Sequence, residues 1–381
     1  MRKRIYLSLA QMGGREQDFI KEAFDTNWVV PLGPNVNAFE KDLETFLGKD
    51  CHVVALSAGT AAIHLGLLQL GVGPGDEVIC QSFTFAASAN PVTYLGATPV
   101  YVDSETDTWN MSPKFLEEAI LDRKARTGKY PKAIVPVHLY GMPAQMDEIG
   151  EVAAKYGIPI MEDAAEAIGS EYKGSKCGTF GEFGALSFNG NKMITTSGGG
   201  ALICRTEEEA KRTMFYATQA RENRPYYYHE HIGYNYRMSN ICAGIGRGQM
   251  QVLAEHVERR RAIHALYTEL LRDIEGISVK QNPSVDFDSN FWLTCIEVDE
   301  DRTGATADTI RIELEVENIE SRLLWRPMHL QPVYAENPFY GDGTAEKIFD
   351  RGLCLPSGSS LSDEEIRTVV ETIKAIIDRK R

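Results

Sequence analysis

Lys192 is the residue whose setting most invites chemistry. It stands in the run Gly184-Ala-Leu-Ser-Phe-Asn-Gly-Asn-Lys192-Met-Ile-Thr-Thr-Ser-Gly-Gly-Gly200, just past an apolar stretch and among small residues. Such a lysine forms a Schiff base if its amine is neutral part of the time, and is otherwise a solvated loop lysine. A second feature is Met161-Glu-Asp163-Ala-Ala-Glu166, at the end of an apolar run. A carboxylate there holds a protonated ring nitrogen or a metal, or caps the next helix; the carboxyl ends of parallel strands are where open α/β sheets bind ligands. A third is Ser57-Ala-Gly-Thr60-Ala-Ala, between a strand-like and a helical run. Unpaired N–H groups and the dipole of a helix N-terminus suit an anion such as phosphate, although a plain capped helix start uses the same residues. The fourth is Tyr226-Tyr-Tyr-His-Glu-His-Ile-Gly-Tyr-Asn235-Tyr-Arg237-Met-Ser-Asn240. Its mix of aromatic and cationic groups suits a sugar or nucleotide pocket, a subunit interface or a packed loop. His229 and His231 lack a third metal ligand at helical spacing.

The elements that must position these residues are visible in the pattern. Strand-like runs at 52–56, 77–80, 99–102, 133–138, 158–162, 185–188 and 201–204 alternate with helical patterns at 60–70, 86–95, 113–120, 146–155 and 207–216. Several of the runs are apolar throughout, as strands covered on both faces are. Alternation of this kind implies an α/β fold with a mostly parallel sheet flanked by helices. After residue 239 the texture changes to one long helix up to Gly276, a strand-like 291–298, a helix near 308–316 and a final amphipathic helix from 363 to about 377. This predicts a large domain over 1–250, with residues 1–15 as an arm, and a smaller domain over 251–381.

Composition narrows the function. The 381 residues carry 40 Lys and Arg against 54 Asp and Glu, a net charge of −14. That argues against nucleic acid as a partner but not against one anionic ligand in a locally basic pocket. No run approaches the length of a membrane span, and the basic start has too short an apolar stretch for a signal peptide. Seven widely spaced cysteines without a CxxC fit reduced thiols in a cytoplasmic protein better than disulfides or a zinc site. The Gly-rich 198–200 leads into a strand and Gly71-Val-Gly-Pro-Gly75 follows a helix, so neither is a dinucleotide fingerprint; no Walker A sequence is present.

Taken in order, Ser57–Ala62 (SAGTAA), Ser82–Phe85 (SFTF), Val137–Gly141 (VHLYG), Glu162–Ser170 (EDAAEAIGS), Gly178–Gly200, Thr218–Glu222 (TQARE) and Gly233–Asn240 (GYNYRMSN) resemble one family over nearly the whole chain. It is the pyridoxal-phosphate-dependent nucleotide-sugar aminotransferases of the DegT/StrS type. The NGNK and TQARE segments, with Leu324-Trp-Arg-Pro-Met-His329, look closest to PglE-like enzymes, which aminate UDP-linked 4-keto-6-deoxy-N-acetylhexosamines for bacterial glycans. The resemblance implies a fold-type-I aminotransferase with a mostly parallel seven-stranded sheet and a smaller C-terminal α+β domain. It implies a cytoplasmic homodimer with active sites shared at the interface, pyridoxal 5'-phosphate as cofactor, L-glutamate as donor and no metal. Lys192 would be the Schiff-base lysine and Asp163 the partner of the pyridinium nitrogen. Gly59, Thr60 and Ser187 would hold the phosphate. Phe85 would stack on the ring, and Glu166 would lie near its ring oxygen. Asn235 or Arg237 would reach the phosphate from the second subunit. Related sugar dehydratases carry His in place of this lysine, so Lys192 points to amino transfer.

A sugar nucleotide brings a diphosphate, so the pocket needs cations. Arg221, Arg237 and Arg326 are candidates, since arginine grips phosphate bidentately. Asn189, Trp325 and His329 are candidates for contacts to sugar or nucleotide. Alternative readings are another keto sugar (3-keto, or dTDP- or GDP-linked 4-keto), a non-catalytic pyridoxal-phosphate-binding regulator, and an NAD-dependent enzyme, which the missing fingerprint opposes. The stereochemistry of the new amine, the nucleotide base and the glycan pathway stay open at this level.

Overall fold

The computed structural model describes residues 3–48 and 51–381. Residues 1, 2, 49 and 50, including the first two of the expected arm, lie outside the described residues. The apolar runs become strands with two buried faces. In His52–Leu56 the side chains alternate by period two: Val54 and Leu56 pack on the helix Gly59–Gln69, while Val53 and Ala55 pack with Phe39 and Leu43 of the helix Pro34–Leu47. Gly59–Gln69 is apolar on nearly every side because it lies under the sheet, with Ala61 through Leu67 all buried.

The strands stand in the order His52–Leu56, Gly200–Cys204, Phe183–Ser187 and Met161–Asp163, then Ala133–Val135, Glu77–Gln81, Thr98–Val102 and the short edge strand Phe339–Tyr340. The two halves meet through parallel bridges from Ile134 to Ile160 and from Val137 to Asp163. Only Gly200–Cys204 runs antiparallel to its neighbours. The expected seven-stranded, mostly parallel sheet is therefore present, with an eighth, two-residue strand on its edge.

The strand expected over 158–162 is confined to Met161–Asp163, and three further expected elements are shortened by local chemistry. The helix expected over 86–95 is a 3-10 turn, Ala86–Ser88, followed by the short helix Asn90–Tyr94; Pro91 has no N–H and blocks a continuous ladder. The strand expected over 133–138 stops at Val135 because Pro136 cannot donate. The strand expected over 291–298 begins at Thr294, since Phe291 turns the chain with φ 45°.

A second sheet, ordered Ile277–Val279, Thr294–Val298, Gly352–Leu355 and Arg322–Leu323, is antiparallel throughout. The helices Leu253–Leu271, Ala307–Val316 and Asp363–Lys380 cover it with Ile263, Tyr267, Ile310, Ile373 and Ile377. Ile5 joins this core and bridges to Ile319, so the start of the chain is tied to its last third.

Beneath the carboxyl edge of the large sheet, Glu162 is fully buried and accepts four hydrogen bonds. The donors are His138 Nε2 at 2.9 Å and the backbone N–H groups of Gly178, Phe180 and Gly181 at 2.8, 2.5 and 2.6 Å. The Ala144 N–H points at His138 Nδ1 from 3.0 Å, so it is Nε2 that carries the proton shared with Glu162. Burial alone would raise the Glu162 pKa, yet the donors win and hold it below the usual carboxylate range. Each hydrogen bond to a charged group is worth about 1.5–3 kcal/mol net. The folded pKa lies below the unfolded value of about 4.3, so this stabilisation is full above that pH and is lost as pH falls through the folded pKa. Thermal melts are expected to drop steeply on acidification below about pH 4. Glu162→Gln should lower Tm at neutral pH and flatten the acid decline; an unchanged acid limb would contradict this account.

Candidate active site

The strands His52–Leu56, Met161–Asp163 and Phe183–Ser187 end on the same edge of the sheet, where the antiparallel Gly200–Cys204 begins. A cavity of about 720 Å³ opens there. It is lined by Gly59, Thr60, Phe85, Asp163, Glu166, Ser187, Asn189, Lys192 and Trp325 among the expected residues.

Its floor is a cradle of small residues. Gly200 is paired with Leu56 on one side and Ser187 on the other. A Cβ on Gly200 would lie 2.3 Å from the Gly59 nitrogen, and one on Gly59 would lie 3.0 Å from Ser187 Cβ. The helix Gly59–Gln69 begins here, and Ala58 at its N-cap supplies no side-chain hydrogen bond. Its first N–H groups are thus without a side-chain cap, at the positive end of the helix dipole. Gly200→Ala must push the 57–60 turn out of place. We expect pyridoxal phosphate affinity to weaken by about tenfold or more, a shift of about 1.4 kcal/mol, measured by fluorescence titration of the apoprotein. Unchanged affinity would remove the cradle from the binding site.

One wall carries the titratable groups. Lys192 Nζ donates to Glu166 Oε1 at 2.9 Å and lies 4.2 Å from the centroid of the Trp292 ring. Glu166 Oε2 accepts from the Tyr140 N–H at 2.8 Å. Burial raises the Glu166 pKa, against the opposing pull of Lys192. Asp163 Oδ2 accepts from Ser88 Oγ at 2.6 Å, and Oδ1 accepts from the Ala165 N–H at 3.1 Å. Ser88 is in turn 2.7 Å from Thr84 Oγ1, so the carboxylate is anchored from behind. Phe85 stands at the opening, 57% exposed, with its ring centroid 5.5 Å from that of Trp325.

Five expected residues are not in this cavity. Arg237 is buried, and its Nη1 donates to Glu40 Oε1 at 2.7 Å and to the Ala55 carbonyl at 3.2 Å; its charge is already spent within the chain. Arg221 is exposed and lies 4.3 Å over the Tyr227 ring. Arg326 points to solvent beside Trp325. His329 Nδ1 is 2.6 Å from Ser82 Oγ, its Nε2 is 3.1 Å from Glu346 Oε1, and its ring stacks on Phe339, which makes it a packing residue. Asn235 is exposed and bridges to Thr218, outside the cavity of a single chain.

The cavity also holds residues that sequence reasoning passed over: Ser8, Tyr140, Trp292, Glu320 and Arg322. Tyr140 lies inside the quoted VHLYG run, held at φ 55°. Its hydroxyl accepts from the Trp325 N–H at 2.8 Å. Arg322 is the one guanidinium among the described residues that line the cavity, and its Nη2 donates to Glu320 Oε1 at 2.8 Å. Ser8 and Trp292 carry no local signal, because they arrive from distant parts of the chain.

Comparison with known proteins bears on this arrangement. The model of the DegT/DnrJ/EryC1/StrS aminotransferase family matches residues 10–374. The chain is 48% identical over 377 residues to EpsN of Bacillus subtilis (strain 168), provisionally named a pyridoxal phosphate-dependent aminotransferase, with 98% of this chain and 96% of the relative covered. It is 36% identical over 374 residues to the GDP-perosamine synthase of Caulobacter vibrioides (strain ATCC 19089 / CIP 103742 / CB 15), with 98% of each covered. The crystal structure of a DegT DnrJ EryC1 StrS aminotransferase from Brucella abortus superposes with a TM-score of 0.87 at 31% identity, covering 95% of each chain. These likenesses carry the family and its fold; they do not single out the PglE-like branch.

Proposed function

The chain belongs to the DegT/DnrJ/EryC1/StrS aminotransferase family, and on that premise we propose that it moves an amino group from L-glutamate to C4 of a UDP-linked 4-keto-6-deoxy-N-acetylhexosamine, with bound pyridoxal 5'-phosphate, for bacterial surface glycan or glycoprotein synthesis. One observation carries the chemistry: Lys192, Asp163 and the uncapped N-terminus at Gly59–Thr60 share one cavity. That donor set fits the cofactor, because it places an amine, a carboxylate and an anion cradle around one space.

When bound, pyridoxal phosphate supplies an electron sink for the electrons of the donor's Cα–H bond. The remaining work falls to the chain. The N–H groups at Gly59 and Thr60, with the Ser187 hydroxyl, bind the phosphate dianion. Asp163, fixed by Ser88 and Ala165, keeps a proton on the ring nitrogen. Phe85 would pack against the ring, and Glu166, already bonded to the Lys192 amine, would lie near the ring oxygen. Lys192 would take the proton from the donor Cα and return it at C4′ of the cofactor, on the far side of the nitrogen, as general base and then general acid. The same steps in reverse aminate the keto sugar. Asn189 and Trp325 on the wall and Arg322 at the rim are the contacts on offer to substrate. Among the described residues no other arginine lines the cavity, and Tyr227 and Ile232, in the segment that leads up to Asn235, stand 79% and 84% exposed. A homodimer in which a second copy covers this loop and brings Asn235 to the site accounts for both.

The test is a visible spectrum of the purified protein before and after L-glutamate, followed by turnover on a panel of keto sugars. A yellow band that bleaches with glutamate and turnover on the UDP-linked 4-keto sugar support the proposal. A colourless protein after reconstitution overturns it. The likeness to a GDP-perosamine synthase favours a second reading, a GDP-linked keto sugar as acceptor, and the same panel separates the two.

A further inference from the structure

The helix Leu253–Leu271 buries a row of polar side chains, His256, Arg260 and His264, each one turn from the next. Arg260 is 1% exposed, and among the described residues no carboxylate pairs with it. Its Nε has no hydrogen-bond partner. A buried cation without a counter-ion is costly, so its remaining contacts demand a reason. Those contacts converge on the segment that carries Lys192. Arg260 Nη1 donates to the Trp292 carbonyl, and Nη2 donates to Ser8 Oγ at 3.0 Å. Both recipients then donate to one atom: Ser8 Oγ reaches the Asn191 carbonyl at 2.9 Å, and Trp292 Nε1 reaches the same carbonyl at 2.8 Å. Asn191 immediately precedes Lys192, whose own N–H is closed in a turn onto the Asn189 carbonyl at 2.9 Å. The chain around Trp292 is bent at Phe291, φ 45°, and His264 stacks flat on that ring at 3.5 Å.

We propose that Arg260 is a positioning residue for Lys192: it fastens the N-terminal arm at Ser8 and the bend at Trp292, so that both clamp the Asn191 carbonyl and hold the lysine beneath the cavity. This rests on the reading of Lys192 as the residue that reacts with pyridoxal phosphate. Arg260 touches neither substrate nor cofactor space and acts through two neighbours. Ser8 and Trp292 are far apart in sequence, and each is hydrogen-bonded to both Arg260 and Asn191.

The experiment is the rate at which the visible band appears when pyridoxal phosphate is added to the apoprotein, at a temperature where circular dichroism shows each variant folded. Arg260→Met is expected to slow it by about tenfold or more, and Ser8→Ala by about threefold. In the Met background, Ser8→Ala should add little, because the clamp is already open. Arg260→Lys, which keeps one donor, should fall between wild type and Met, and it replaces the Met variant if that one does not fold. A wild-type rate in the variant used, or effects that multiply in the double variant, would overturn the inference. A wild type that forms no band overturns the reading of Lys192 itself, and the clamp with it.

Discussion

Replacing Lys192 with alanine is expected to abolish the yellow band and to cut amino transfer by about 10⁴-fold, the upper range for a positioned general acid/base. Lys192 is the only amine among the described residues that line the cavity. Its Nζ is held between the Glu166 side chain and the Trp292 ring. No neighbour can take its place: Glu166 and Asp163 are carboxylates, and Arg322 carries a guanidinium, not a nucleophilic amine. The loss should not be a folding defect. Lys192 lies in a turn between strands, and without it Glu166 can take up a proton, since burial already raises its pKa. Lys192→Arg should be as inactive as the alanine variant, because it restores charge without a nucleophilic amine. An added small alkylamine should recover part of the rate in Lys192→Ala and none in Lys192→Arg, where the space is filled. Initial rates and absorbance spectra of the two variants decide it. Turnover in Lys192→Ala within about tenfold of wild type would remove the lysine from the chemistry.

The residues that were legible in the sequence are those whose position is a local matter. Asp163 and Ser187 end strands, Gly59 and Thr60 open the helix after one, and Lys192 follows one. A short-range pattern therefore places all of them on one edge of a parallel sheet. Arginine gave the opposite result. Arg237 looked available, but its partner Glu40 lies 197 positions away in sequence, and no local pattern announces it. His329 is likewise taken up by Ser82, 247 positions away. Arg322, which does line the cavity, reads in sequence as one more charge at a strand edge. The strand order was hidden for the same reason. Pairing of Gly200–Cys204 between His52–Leu56 and Phe183–Ser187 is a long-range fact, whereas the alternation of strand and helix is not. Pro91 and Pro136 were visible breakers, and weighting them against the apolar pattern would have shortened two elements correctly.

Asp163→Asn should keep the fold and most of the cofactor affinity while lowering kcat by about two orders of magnitude. The reason is in the anchoring. Both groups that hold the carboxylate are donors, Ser88 Oγ to Oδ2 and the Ala165 N–H to Oδ1. A backbone N–H cannot turn, so the asparagine oxygen must face Ala165 and its NH₂ must face Ser88. Ser88 can accept, because its hydroxyl rotates and Thr84 Oγ1 lies 2.7 Å away to receive the proton. The side chain thus stays in place and loses only its charge. What disappears is a charge-assisted hydrogen bond to a protonated ring nitrogen, worth about 1.5–3 kcal/mol, or roughly 10- to 150-fold in rate, more where water is excluded. The proposed phosphate cradle at Gly59, Thr60 and Ser187 is untouched, so binding should change far less than rate. Asp163→Ala should do worse on both counts, since it leaves Ser88 and Ala165 facing an empty site. The comparison needs kcat, pyridoxal phosphate affinity and Tm for the two variants side by side. Equal losses of affinity and rate in Asp163→Asn would make the residue a binding contact only. A wild-type kcat would show that the ring nitrogen is held by some other group, and would reassign the buried Ser88–Asp163 pair to structure.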